Sequence, residues 1–221
     1  MKMFMKFSCV LGTALLVAAA SLQAQVDVTR PGDDIIGVAA LLGDQVSTIS
    51  TDYPGGEAPQ YAIDGSVATK YLNFTKVNVG FIVTLPEDRS LANVTGIQFI
   101  SANDAPERDP IVVSLEGANA ASAMSAATAA TTWTTLYTGS SGLPTDIVRY
   151  GLGAIQTFDN EQYFNTYRLL VTDLQNTGGA NSVQFAEVQL LGSIAVIPEP
   201  GTGLLIGLGT LGMWGLRRRS R

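Results

Sequence analysis

Val183-Gln184-Phe185-Ala186-Glu187-Val188-Gln189-Leu190-Leu191 decides the fold class. Val183 and Phe185 are apolar at every second position, and Val188 and Leu190 resume that spacing out of phase. Successive side chains of a strand point to opposite faces, so each half offers one apolar side to a core. The change of phase near Ala186 predicts a bulge, a local device that re-aims a side chain.

The same signature recurs upstream in Gly80–Leu85, Val94–Ile100, Ile111–Leu115 and Tyr167–Val171, all short and rich in β-branched or aromatic residues. Turn formers separate them: Pro54-Gly55-Gly56, Asp64-Gly65, Asp109-Pro110, Gly139–Pro144 and Gly178-Gly179. Short strands so punctuated predict an all-β sandwich or barrel. Ala118–Thr132 differs, being almost wholly Ala, Ser and Thr. Its alanines permit a short helix, but it shows no apolar stripe, and we read it as a surface insertion. No internal repeat is visible.

The two ends have their own logic. Lys2 and Lys6 precede an apolar run from Val10 to Ala20, and Ala24 supplies a small residue for cleavage, so residues 1–24 are predicted to be a signal peptide. The only cysteine, Cys9, starts that run and does not end it, which argues against a lipoprotein. The mature chain then has no disulfide, no thiol nucleophile and no Cys-ligated zinc.

At the other end Pro198-Glu199-Pro200 precedes an uncharged run, Gly201 to Leu216, and then Arg217, Arg218, Arg219 and Arg221. As a helix rising about 1.5 Å per residue that run reaches roughly 24 Å. A hydrocarbon core is about 30 Å thick, and Ile194 to Ile197 extend the run upstream. The arginines suit a cytoplasmic flank. This order of features resembles the PEP-CTERM sorting signal of Gram-negative bacteria. The resemblance implies handling by an exosortase, a tether in the inner membrane through residues 201–216, and delivery to the cell surface or extracellular matrix. It also implies a bacterium that makes extracellular polysaccharide or biofilm.

Residues 25–193 are expected to form one domain, with the tail occupying 194–221. Between the ends stand seven basic residues against eighteen acidic ones, a net charge of −11. Such a surface repels phosphate backbones, so nucleic acid is not an expected partner. The chain contains no histidine, which removes histidine bases, Ser-His-Asp catalysis and histidine metal ligands. A hydrolase would need two carboxylates about 5–10 Å apart across a cleft, a separation that spacing along the chain does not show.

Tyr61-Ala62-Ile63-Asp64-Gly65-Ser66-Val67-Ala68-Thr69-Lys70-Tyr71 is the richest segment chemically. An Asp-Gly turn followed by Ser and Thr is an ordinary turn, or a curl of oxygens around a hard cation. Calcium takes six to eight oxygens at about 2.3–2.6 Å, several of them from backbone carbonyls.

With the pieces that follow it, this segment resembles discoidin-type domains, the coagulation-factor type C and galactose-binding-like group that includes many carbohydrate-binding modules. In the family's order come Gly80–Val83, Ser101–Pro110, Leu115–Asn119, Trp133, Phe158-Asp159-Asn160 with Tyr163, Tyr167-Arg168, and Phe185-Ala186-Glu187-Val188. The resemblance spans about Ile36 to Gly192 and implies a jelly-roll β-sandwich of about eight main strands with adjacent termini. It implies a structural Ca²⁺ held by the carboxylates of Asp64 and Glu187, by Ser66 and Thr69, and by the carbonyls of Tyr61 and Ala186. It also implies a sugar site on loops at one end. Asn103, Asp104, Arg108 and Asp109 of one polar loop, with Tyr71 and Asn73 beyond the Asp-Gly turn, are its candidates. Alternatively, Arg108 pairs with Asp104 or Asp109 and Tyr71 is core. The histidine of many galactose-binding members is absent.

The expectation is therefore a non-catalytic, surface-directed carbohydrate-binding module associated with extracellular polysaccharide. A structural matrix or adhesion protein is the alternative, and a carboxylate-based hydrolase a distant one.

Overall fold

The computed structural model describes residues 25–195. The predicted signal peptide and the tail from residue 196 onward, with Pro198, Glu199, Pro200, the apolar run and the arginines, lie outside the described residues. No helix among the described residues is long and apolar enough to cross a membrane.

The strands are β1 (Val26–Asp27), β2 (Asp34–Ala39), β3 (Thr48–Ile49), β4 (Tyr71–Asn73), β5 (Val79–Thr84), β6 (Ala92–Ile100) and β7 (Pro110–Ala118). After helix α1 (Ala123–Thr128) come β8 (Thr134–Ser140), β9 (Gln156–Thr157), β10 (Thr166–Leu174), β11 (Val183–Phe185) and β12 (Glu187–Ile194). Every pairing among them is antiparallel. One sheet runs β1-β12-β6-β9, a second β3-β2-β5-β10-β7-β8, and β11-β4 forms a small ribbon. This is the expected discoidin-like sandwich.

The main core lies between the sheets. Val94, Ile97 and Phe99 of β6 with Val188 and Leu190 of β12 meet Phe81, Val83, Leu115, Tyr167 and Leu169 from the second sheet. Phe185 closes one end edge-on to Phe99 at 5.1 Å and to Tyr71 at 5.4 Å. The phase change at Ala186 is a full break: β11 pairs with β4, and β12 turns into the other sheet. The last strand also runs past the expected boundary at residue 193, because Ile194 pairs with Ala92.

The alanine-rich stretch corrects its sequence reading. Ser122 caps α1 through a reciprocal bond with Ser125, and Ala123, Ala126 and Ala127 are fully buried. Their spacing forms a methyl stripe that packs on Val38, Ile82 and Leu170, on the outer face of the six-stranded sheet. Under the adjoining loop Arg168 is completely buried. It donates from Nε to Glu116 at 2.7 Å and from Nη1 to the Asp44 carbonyl and Ser47 Oγ, and it lies 4.5 Å from the Trp133 ring. Trp133 thus covers a buried ion pair.

Candidate functional site

Strand β6 ends at Ile100 opposite Glu187, the first residue of β12, so the loop after β6 and the chain entering β12 meet at one pole of the sandwich. The Asp-Gly turn reaches the same place. Gly65 takes φ +77°, a left-handed conformation that glycine adopts freely. The chain then curls so that Ser66 N–H donates both to Asp64 Oδ1 and to Glu187 Oε1, each at 2.9 Å. Thr69 Oγ1 donates to Asp64 Oδ2 at 2.8 Å and to the Ser66 carbonyl at 2.9 Å. Asp64, Ser66, Thr69 and Glu187, distant in sequence, are thereby gathered.

Glu187 is nearly buried, and no salt bridge reaches either carboxylate among the described residues. Burial, followed by the Asp64 carboxylate within hydrogen-bonding reach, pushes Glu187 up to about 8. Two acids facing one another without a cation are the donor set that a hard divalent ion relieves. Tyr61 lies within the short helix Pro59–Ala62, and Ala186 adjoins Glu187 at the break between β11 and β12. No group of three or more acidic side chains is placed to hold a metal ion among the described residues, so a cation here would take its remaining oxygens from hydroxyls, carbonyls and water.

The sugar candidates divide. Tyr71 is fully buried, its hydroxyl donating to the Gly80 carbonyl at 3.1 Å, so its ring is core and offers no stacking face. Asn73 is buried too, and donates to Ser50 Oγ. Asp109 is buried in a two-pronged pair with Arg149, at 3.1 and 2.6 Å. Tyr71 and Asn73 fall to the interior because all of β4 is buried, and Asp109, expected in an open polar loop, is buried immediately before β7.

Asn103 and Asp104 remain exposed. Asp104 accepts from Lys70 Nζ at 3.0 Å and from Gln184 Nε2 at 2.9 Å. Burial's upward push on its carboxyl is outweighed by these two donors, and it is held below the ordinary range. Arg108, half-buried, reaches Gln184 Oε1 at 3.4 Å, and its Nε is buried without a partner. Neither of the expected Arg108 pairs forms.

A groove of about 160 Å³ opens beside this network, lined by Glu57, Thr69, Lys70, Asn103 and Tyr150 among others. Tyr150 was missed in the sequence. It is 51% exposed and holds φ +60°, an unfavourable conformation for a residue with a Cβ. Its N–H bonds the Ala102 carbonyl at 3.3 Å and the neighbouring Gly151 N–H bonds Ser101 Oγ, which fixes the backbone that carries the ring at the groove. Strained backbone beneath an exposed aromatic ring points to a functional position. An aromatic between Arg149 and Gly151 in a stretch without strand character was the available signal.

Comparison with known proteins agrees with this architecture. Residues 196–219 match the PEP-CTERM protein-sorting motif, which marks export and sorting in Gram-negative bacteria. No curated protein matches the chain. The solved structures it resembles include chitosan-binding module 1 from a chitosanase/glucanase of Paenibacillus sp. IK-5, at TM-score 0.50 and 15% identity over 76% of this chain and 99% of that one. They also include the family 32 carbohydrate-binding module of Clostridium perfringens NanJ in complex with galactose, at TM-score 0.50 and 13% identity over 76% and 98%. The family 32 module of Streptococcus pneumoniae EndoD gives TM-score 0.50 and 11% identity over 78% and 100%. At these identities the likeness establishes the fold.

Proposed function

We propose that this protein is an exported, non-catalytic carbohydrate-binding module that holds a single sugar in the loop-end groove and is braced by Ca²⁺ between Asp64 and Glu187. The observation that supports it most is Tyr150, an exposed ring held in left-handed backbone beside Lys70, Asn103 and Glu57. The ring offers a face to the C–H surface of a pyranose, while the amide, ammonium and carboxylate reach its hydroxyls. The groove's small volume suits one sugar unit at a chain end. Calcium, when bound, would neutralise the facing carboxylates and staple the Asp-Gly turn to β12, beneath the groove.

Hydrolysis is the poorer reading. Asp64 and Glu187 lie within hydrogen-bonding reach of each other, whereas a glycosidase keeps its acids about 5–10 Å apart with the scissile bond between them. A matrix or adhesion role draws support from Leu41, Leu42, Val46 and Met124, exposed apolar residues on the loop before β3 and on α1. A glycan array probed with detergent-solubilised full-length protein separates the readings. Binding that disappears in Tyr150→Ala supports the module, and a blank array with calcium present leaves the matrix reading.

A further inference from the structure

A second groove, of about 520 Å³, lies on the flank of the four-stranded sheet, away from the loop-end pole. Gln25, Thr95 of β6, Thr157 of β9 and the turn Phe158–Glu161 line it. Phe158 stacks on Tyr137 of β8, with ring centres 5.2 Å apart and planes 26° apart, so an aromatic pair bridges the edges of the two sheets. Phe158 N–H bonds the Thr95 carbonyl at 3.0 Å. Asn160 Nδ2 donates to the Val94 carbonyl at 3.0 Å, and Asn93 Nδ2 donates to the carbonyls of Asn160 and Gln162. The turn is therefore held by β6 before any ligand arrives. It presents Asp159 and Glu161 to solvent, and neither enters a salt bridge among the described residues.

We propose that this groove is a second glycan site, which takes a run of several sugars from a polysaccharide chain free of anionic groups. Its volume is about three times that of the loop-end groove, which suits an internal stretch and not one terminal unit. The lining combines an aromatic ring with amide, hydroxyl and carboxylate groups, the donors and acceptors that sugar hydroxyls use in pairs. The turn's backbone is fixed in advance by β6, so presenting its carboxylates to a ligand costs little ordering of the chain. The two carboxylates, in a domain of net charge −11, repel uronate and sulfate substituents and leave neutral and amine-bearing chains as ligands. Occupying both grooves on one polysaccharide would raise avidity well above either single affinity. This site does not rest on the loop-end reading.

The test titrates hexasaccharides of glucose, N-acetylglucosamine and glucosamine, with a hexauronate as control, into isotopically labelled full-length protein in detergent micelles. We expect at least one of the first three to shift the amide resonances of residues 157–161, with no response to the hexauronate. These shifts should persist in Tyr150→Ala, which separates this groove from the other. The double variant Asp159→Lys/Glu161→Lys changes only exposed side chains. It should keep its Tm and bind hexauronate at least tenfold more tightly than the native chain. No shift at 157–161 with any of the three, equal response to the hexauronate, or unchanged selectivity in the double variant overturns the proposal.

Discussion

The carboxylates of Asp64 and Glu187 share one donor, the backbone N–H of Ser66, 2.9 Å from each. A turn and the first residue of a distant strand are joined through a single hydrogen atom, and both contributors are acids. Burial and the facing acid favour the state in which Glu187 keeps its proton, and a cation between the two would relieve the same repulsion.

That requirement gives a pH dependence. Below the ordinary Glu value of 4.5, folded and unfolded chains both hold the Glu187 proton. Between there and about 8 only the folded chain keeps it, so stability falls as pH rises through this window and levels off above it. In EDTA, Tm should drop between pH 5 and 8. Saturating Ca²⁺ should abolish the drop, and Glu187→Gln should remove both the slope and the calcium response. A flat Tm in EDTA would dismiss the site.

Tyr150→Gly separates strain from binding. Glycine removes a left-handed cost of roughly 1–2 kcal/mol, so the variant should melt no lower than the native protein. It should nonetheless lose its sugar, because the stacking face is gone. Retained binding on the array would show that the ring is not the platform.

Glu116→Ala should be severe. Arg168 would stay buried with its charge uncompensated, a loss of about 3–5 kcal/mol when one partner of a buried pair is removed. Urea denaturation measures it, and a change under 1 kcal/mol would mean that the Trp133 face and the Asp44 and Ser47 oxygens suffice.

Deleting residues 198–221 should release the protein from the cell, since it removes the uncharged run Gly201–Leu216 and the arginines that follow it. Fractionated cells showing equal retention of full-length and truncated chains would refute the tether.

Period-two alternation and turn chemistry made the sandwich legible, because strands with one face in a core must alternate. The docking of α1 was not, since three alanines make a weak stripe until a flat sheet lies beneath them. The Asp64–Glu187 meeting was reachable only through resemblance, for no local rule brings residues so far apart together. Tyr71 stood open between a stacking face and the core because one letter fits both, and the structure takes the second, its hydroxyl finding the Gly80 carbonyl inside the core. Tyr150 left only a faint trace, an aromatic in a stretch without strand character, because its position is set by backbone geometry and a tyrosine letter does not announce a positive φ.

Strand β12 begins at Glu187, beside the loop-end groove, and ends at Ile194, where the chain leaves toward its tail. A glycan pulling at one pole and a tether pulling at the other would load the domain along this strand. Force would act in shear on the bonds that β12 makes to β6 on one side and β1 on the other, stretching them together and not peeling them one by one. A sandwich so mounted would resist traction better along β12 than across it.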